Sequence, residues 1–299
     1  MKTVTTPREA RRAIDEVKKA GARIGFVPTM GALHEGHASL VRMARARTEF
    51  VVASIFVNPK QFGPKDDFSR YPQTFEADSS MLGDLGCDLL FHPNDAELYS
   101  PADRTRISVE GISDVLCGAA RRDHFHGVAL VVAKLFNIIG PDEAYFGQKD
   151  AQQALVIQRM AADLDFPVAI LLGPTVREAD GLAMSSRNRY LDPEARSKAP
   201  AMYAGLAAAT AAIEAGERDP VALAAMLTGT MRAAGFDVEY ASVVDGATLG
   251  PLERIEGTVL LACAGRIGGT RLIDNVALRV SGAKAEEVVL EFPEWSRYA

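Results

Sequence analysis

The feature that most constrains this chain is an alternation of short apolar runs with stretches of helical pattern, sustained over its first 175 residues or so. Arg23–Pro28 (RIGFVP), Phe50–Val57 (FVVASIFV), Asp88–His92 and Phe166–Gly173 (FPVAILLG) read as short buried strands. Pro7–Ala20, Gly36–Arg47, Thr74–Gly86, Gly127–Ile139 and Ala151–Asp163 read as the helices between them. Strands that alternate with helices need crossover connections, and hence a mostly parallel sheet covered on both faces. The expected class is α/β, with a doubly wound parallel-sheet domain over residues 1–175 and ligands at the carboxyl ends of its strands.

The pattern changes after Arg189. From Pro200 to Ala234 the chain is Ala-rich and reads as two helices broken near Gly216–Pro220. Val238–Val244, Thr258–Ala264 and Arg271–Val280 then alternate like strands separated by Gly-containing turns. A smaller α+β C-terminal domain over residues 176–299 is the simplest division. The last stretch, Gly282–Ala299, carries Glu286, Glu287, Phe292, Trp295 and Tyr298 and reads either as an extra strand or as a mobile tail.

Composition narrows the function. The formal net charge of −6 argues against a nucleic-acid partner, whose binding proteins are usually basic. A negative chain that handles an anion must gather its positive groups locally. The three cysteines (Cys87, Cys117, Cys263) are far apart and form no CxxC pair, which suits a reducing compartment rather than a disulfide framework or zinc cluster. The N-terminus has charges in place of a signal-peptide core, and no apolar run reaches bilayer length. A cytoplasmic location with no membrane partner is expected.

The strongest local signal is Phe26–His37, FVPTMGALHEGH. A buried strand ends at Pro28, a Gly-containing turn follows, and His34 and His37 sit three apart where a helix opens, so both project to one side. Backbone N–H groups and the helix dipole favour anions there, which suits a polyphosphate and charge building on an α-phosphate. A histidine pair at this spacing also suits a metal, although zinc would need further ligands, and His92, His124 and His126 show no matching spacing. A second signal is Met184-Ser185-Ser186-Arg187-Asn188, a compact set of phosphate donors that on its own also reads as a polar surface loop.

HxGH followed far downstream by a Met-Ser-Ser phosphate loop resembles the nucleotidyltransferase superfamily that includes class I aminoacyl-tRNA synthetases, with its Rossmann-like core. More specifically, PTMGALHEGH, SIFVNPKQFGPKDDFSRYP, KLFNIIGPDEAYFGQKDAQQ, TVREADGLAMSSRNRYL and TRLIDN, in order over residues 1–280, resemble the pantothenate synthetase (pantoate–β-alanine ligase) family. The resemblance implies two steps in one pocket: pantoate attacks the α-phosphate of Mg·ATP to give pantoyl adenylate and pyrophosphate, and β-alanine then displaces AMP.

It also implies roles. His34 and His37 bind phosphate and stabilise the first transition state, and Met30 covers the reacting centre. Gln61 and Gln153 hold pantoate, neutral amides being able to recognise a polyol acid without adding charge. Gly147, Lys149 and Asp150 of FGQKD resemble the nucleotide-binding stretch: Gly147 permits close approach, Lys149 faces phosphate and Asp150 suits ribose hydroxyls. Ser185, Ser186 and Arg187 grip the β- and γ-phosphates beside Met184, and Val176 borders the adenine. Mg²⁺ arrives with ATP and needs no ligands from protein side chains. A homodimer is implied as well, and a hinge is expected near Gly173–Val176.

Where the family pattern reads RPGHFRGVxTVV, this chain has Arg121-Arg122-Asp123-His124-Phe125-His126-Gly127-Val128-Ala129-Leu130-Val131-Val132. Asp123, His126 and Leu130 depart from it in a segment that borders the pantoate pocket in the family. Two rival readings are another ligase or nucleotidylyltransferase of the superfamily, and a non-catalytic sensor. The first would not need Gln61 and Gln153 together, and the second would typically have lost one of His34, His37, Lys149 and Arg187.

Overall fold

Six short strands pair side by side, all parallel, in a computed structural model that describes residues 1–64, 66–282 and 284–291. They are β1 (Lys2–Val4), β2 (Ile24–Thr29), β3 (Phe50–Ile55), β4 (Leu89–Phe91), β5 (Glu143–Gly147) and β6 (Ala169–Gly173), in the sheet order β1-β4-β3-β2-β5-β6. The crossovers are carried chiefly by α1 (Pro7–Lys19), α2 (Glu35–Arg47), α3 (Phe75–Asp84), α6 (His124–Ile139) and α7 (Ala151–Asp163). The short turns α4 (Asp95–Leu98) and α5 (Cys117–Ala120) lie in the β4–α6 connection. Helix α1 starts where its chemistry says it should: Pro7 opens it, and Thr6 and Glu9 satisfy each other's backbone N–H groups in a capping box, typically worth about 1 kcal/mol.

Two strands went unread in the sequence. Strand β1 is only three residues long, and β5 begins with a charged residue. Glu143 is buried there because Arg23 and Arg47 reach it from outside, at 2.6 and 3.0 Å, and Tyr145 also donates to it. The short helices at Asp95–Leu98, Cys117–Ala120 and Pro193–Lys198 also went unread; the other strands and longer helices match expectation to within a few residues, with helix α6 beginning at His124 rather than Gly127, and β6 at Ala169 rather than Phe166.

The second unit has α8 (Pro193–Lys198), α9 (Ala201–Glu214), α10 (Pro220–Ala233) and an antiparallel sheet of β7 (Asp237–Asp245), β8 (Gly257–Ile267), β9 (Thr270–Ser281) and β10 (Lys284–Glu287), in the order β10-β9-β8-β7. Gly268 and Gly269, both at positive φ (+53° and +75°), make the tight β8–β9 turn, a conformation that favours glycine. Alternation along β8 divides its two faces. Val259, Leu261 and Cys263 pack with α9 and α10, while Leu260 and Ala262 join a core that continues into the parallel-sheet unit. Beyond β10, Gln148 donates to the Val288 carbonyl (3.1 Å) and accepts from the Leu290 N–H (2.7 Å), fastening the segment across both units. Of the stretch that reads as strand or tail, Lys284–Glu287 is the strand; Phe292, Trp295 and Tyr298 lie outside the described residues.

Candidate functional site

Strands β2 and β5 are neighbours, yet β3 and β4 come between them in the chain and lie on the far side of β2. The crevice beyond their carboxyl ends is the topological switch point, where open α/β sheets bind ligands. One cavity opens there, walled on its other side by β7–β9 of the second unit. Every residue given a binding or catalytic role by the resemblance lines it: Met30, His34, His37, Gln61, Gly147, Lys149, Asp150, Gln153, Val176, Met184, Ser185, Ser186 and Arg187.

The turn after β2 is held by a residue that sequence reasoning passed over. Buried Asp78, on α3, accepts from the backbone N–H groups of Ala32 (2.8 Å) and Leu33 (2.9 Å) and from the Thr74 hydroxyl. This fixes a reversal in which Gly31 and Ala32 both take positive φ (+80° and +51°), so that α2 starts facing the crevice. His34 is the N-cap of α2. Its Nδ1 accepts from the Gly36 N–H (3.2 Å), and His37 Nδ1 accepts from the His34 N–H (3.3 Å), a capping box made of two histidines. A backbone N–H only donates, so both Nδ1 atoms are unprotonated and each ring carries its proton on Nε2. Burial, reinforced by Lys149, pushes His34 down to about 4; burial, reinforced by His34, pushes His37 down to about 3. Both rings are thus neutral Nε2–H donors at the positive end of a helix dipole. Gly36 makes room for them, since a Cβ there would lie 2.9 Å from the His34 ring.

A second wall is built on the 3₁₀ turn Pro59–Gln61. Asn58 Nδ2 donates to Gln61 Oε1 (2.9 Å) and to the Gly127 carbonyl (3.1 Å), while Gln61 Nε2 lies 3.1 Å from Met30 Sδ. The turn packs directly on α6: a Cβ at Gly127 would fall 2.2 Å from the Lys60 carbonyl oxygen, so only glycine fits. His124 Nδ1 donates to the Gln61 carbonyl (2.8 Å), and Arg121 donates to Asp66 (2.7 Å) and to His124 Nε2 (3.2 Å). Burial and the nearby Arg121 lower His124 to about 4, consistent with a neutral ring that donates from one nitrogen and accepts at the other. Gln153 enters the cavity from the first turn of α7.

The third wall carries the cations. Lys149 and Asp150 end the turn after β5, 3.6 Å apart as an ion pair. Asn275, from β9, holds the carbonyls of Gln148 and Lys149 (2.9 Å each), so the second unit sets the backbone of this turn. A Cβ at Gly147 would meet no protein atom within 4 Å, which leaves that side open to a ligand. Ser185 caps the 3₁₀ helix Ser186–Tyr190 through the Arg187 N–H, and Ser186 Oγ lies 3.2 Å from the Tyr71 hydroxyl. Arg187 is already engaged: Asp67 takes its Nε and Nη2 at 2.8 Å each.

Asn58, Asp67, Asp78 and Asn275 therefore organise the site without having been singled out. Their only sequence signal was membership of the quoted blocks, or for Asp78 not even that. In the 121–132 segment Asp123, His126 and Leu130 do not line the cavity, whereas His124, Phe125, Val128, Val131 and Val132 do. Asp123 instead pairs with Arg106, and His126 Nδ1 donates to the Ile107 carbonyl, 2.9 Å away. Among the described residues no three or more His, Cys, Asp or Glu side chains converge as a metal site, and no helix is long and apolar enough to cross a membrane.

Known proteins match this arrangement over nearly its full length. A family model described as pantoate-beta-alanine ligase covers residues 2–277. The chain is 49% identical to the pantothenate synthetase of Moorella thermoacetica over 94% of its own length and all of the relative's. It is 50% identical to that of Azotobacter vinelandii over the same shares. The crystal structure of pantothenate synthetase from Thermus thermophilus superimposes with a TM-score of 0.88 at 46% identity, covering 92% of this chain and 98% of that one. A Francisella tularensis pantoate-beta-alanine ligase, solved with beta-gamma ATP and beta-alanine, gives 0.78 at 32% identity over 92% and 97% of the two chains. With a family model that spans the cavity and the whole parallel sheet, the chain belongs to the pantoate–β-alanine ligase family.

Proposed function

We propose that this chain condenses D-pantoate with β-alanine, using Mg·ATP, through a pantoyl-adenylate intermediate. A carboxylate oxygen of pantoate attacks the α-phosphorus; the new O–P bond forms as the bond to the β-phosphate oxygen breaks and pyrophosphate leaves. The β-alanine nitrogen then attacks the acyl carbon, the amide forms, the acyl–oxygen bond breaks to release AMP, and the amine proton passes to solvent. The observation that carries this reading is the pair of neutral Nε2–H donors at the start of α2, sharing one cavity with the Gln61 amide and with Lys149 and Arg187.

Each wall then has a task. His34 and His37 donate to phosphate oxygens and gain strength as charge builds in the transition state. Their neutrality matters, because the helix terminus already supplies positive potential. Met30 covers the reacting centre, and Gln61 and Gln153 hold pantoate. Gly147 lets the nucleotide approach, Asp150 takes ribose hydroxyls, Val176 borders the adenine, and Lys149, Ser185, Ser186 and Arg187, next to Met184, grip the phosphates. Mg²⁺ enters as part of the ATP substrate, screening the triphosphate while phosphate oxygens and water supply its ligands.

The domain boundary falls between residues 175 and 176, and Gly173–Val176 serves as the hinge. Scattering curves with and without ATP test it; an unchanged curve removes the hinge. A homodimer and a cytoplasmic location complete the reading, supported by the family resemblance and by three buried thiols; light scattering tests the former. For the reaction itself, the purified chain is given Mg·ATP and D-pantoate with and without β-alanine. AMP and pyrophosphate that accumulate only with both organic substrates, with pantothenate formed, are the expected result. ADP and phosphate in their place would overturn the adenylate mechanism.

A further inference from the structure

An amide recognises opposite groups at its two ends, offering two hydrogens from nitrogen and two lone pairs from oxygen. The way round in which Gln61 sits therefore decides what its wall can bind, and the surrounding chemistry fixes it without ambiguity. The backbone N–H of Lys60 can only donate, and it reaches Asn58 Oδ1 at 3.2 Å. The Gly127 carbonyl can only accept, and it takes Asn58 Nδ2 at 3.1 Å. Asn58 thus has its oxygen and nitrogen assigned by main-chain partners. Its second Nδ2 hydrogen goes to Gln61 Oε1 at 2.9 Å, which turns Gln61 Nε2 toward Met30 and the cavity.

The shortest bond in this set comes from outside the cavity wall. Tyr99 Oη donates to Asn58 Oδ1 at 2.7 Å, although Tyr99 itself does not line the cavity. Its ring is clamped: Lys60 Nζ lies 4.6 Å and Lys134 Nζ 5.5 Å from the ring centroid, Asp103 reaches Lys134 at 3.5 Å, and Phe56 packs 6.1 Å away. Asn58 is 1% exposed, so water cannot stand in for a lost partner. Burial raises the Tyr99 pKa, which keeps the hydroxyl a donor.

We propose that Tyr99 is a positioning and specificity-determining residue that, through Asn58, locks Gln61 with its N–H end toward the substrate acid. This rests on the reading of Gln61 as an acid-binding residue. The group opposite Gln61 must then be a hydrogen-bond acceptor, a hydroxyl or carboxylate oxygen, and an ammonium is turned away. The relay thus selects an oxygen acceptor over an ammonium at this wall, so that β-alanine cannot present its amine to Gln61.

The test compares wild type, Tyr99→Phe, Gln61→Ala and the double variant in steady-state kinetics, with thermal melts to confirm folding. Tyr99→Phe keeps the ring and its cation contacts and removes only the hydroxyl. The expected result is a rise of about fivefold in KM for pantoate, with KM for ATP unchanged, and no further rise when it is added to Gln61→Ala. An unchanged KM, or a factor that multiplies fully with that of Gln61→Ala, would overturn the proposal. If wild type makes no AMP from pantoate at all, the proposed function fails instead. The relay is then judged by the Gln61 side-chain amide in ¹⁵N spectra. Two resolved, slowly exchanging hydrogens that Tyr99→Phe averages or loses support it, and an unaltered pair refutes it.

Discussion

Two of the cavity's three walls solve opposite problems. The HxGH wall is local: strand, turn and helix follow one another from Ile24 to Arg47, and the two histidines cap the helix they open. The Gln61 wall is assembled from distant segments, with Gly127, His124, Arg121 and Tyr99 all supplied by parts of the chain far from the Pro59–Gln61 turn. A local device is preformed wherever its helix forms, and it offers a general preference for anions. A wall built from long-range hydrogen bonds orients a neutral amide, and in the reading proposed above it turns an N–H toward the substrate acid. Removing a part should cost rate at the first wall and affinity at the second.

The largest effect is expected at the first wall. His34→Ala and His37→Ala should each lower kcat by about a hundredfold or more, the range seen when a transition-state donor is lost, with KM for pantoate changed far less. Single-turnover formation of the adenylate measures this. Equal losses in rate and pantoate binding would erase the distinction between the walls. His37→Ala also removes the acceptor for the His34 N–H, so its melt should fall by more than that of an exposed substitution.

Acid should reach both walls at once. His34, His37 and His124 all have pKa values pushed well below the unfolded value, to about 4, 3 and 4, with burial the leading cause. The unfolded chain therefore binds protons that the folded chain refuses. Stability from these rings is fully present above pH 6.5 and is lost as the pH falls toward 4 and 3, at most ~1.4 kcal/mol per pH unit for each and less where solvent reaches a ring. Asp274, whose burial raises its pKa, acts in the opposite sense, but it is one group against three. Melts from pH 7.5 down to 4.5 should show the midpoint falling, and falling less in His124→Asn. A flat profile would mean that the rings ionise freely.

The same contrast explains what was legible before the fold was known. The doubly wound sheet was readable because four of its six strands, and the long helices between them, announce themselves within a dozen residues, and the HxGH wall because its strand, glycine and histidines are consecutive. Strand β5 was not, because Glu143 breaks its apolar pattern and becomes buried only through Arg23 and Arg47, more than ninety positions away. Asp78 reads in sequence as an ordinary acidic residue in the first turn of a helix, and only the fold brings its carboxylate under the Ala32 and Leu33 amides. Gln61 and Gln153 were found through resemblance, but the direction in which Gln61 points could not be, since it is set through Asn58 by partners as distant as Tyr99 and the Gly127 carbonyl. Asp123, His126 and Leu130 looked like changes to the pocket, yet helix α6 turns them away from it.

At the second wall the expected losses are smaller. Gln61→Ala and Gln153→Ala should raise KM for pantoate about tenfold each, near the loss of one or two neutral hydrogen bonds, with a smaller fall in kcat. Calorimetric titration of pantoate checks the sign. Should kcat fall as steeply as it does for His34→Ala, the two walls would not divide rate from affinity.

The smallest effect falls at the third wall, where the cations are already paired. Burial pushes the Asp67 carboxyl up, but Arg187 more than offsets this and holds it below the usual range. Because Asp67 takes the Nε and Nη2 edge of Arg187, a triphosphate must either displace that carboxylate or use the other edge. Displacement would make Asp67 a competitor, and Asp67→Asn would then tighten ATP. The geometry favours the other course: both bonds are 2.8 Å, the pair is largely sheltered, and a fixed guanidinium loses less freedom when phosphate arrives. Asp67→Asn should therefore raise KM for ATP by about two- to fivefold, within the range of a partly exposed ion pair, and leave KM for pantoate alone. A lower KM for ATP would show that the carboxylate is a gate the nucleotide must open, and the third wall would then resemble the second, its charge set by a distant residue.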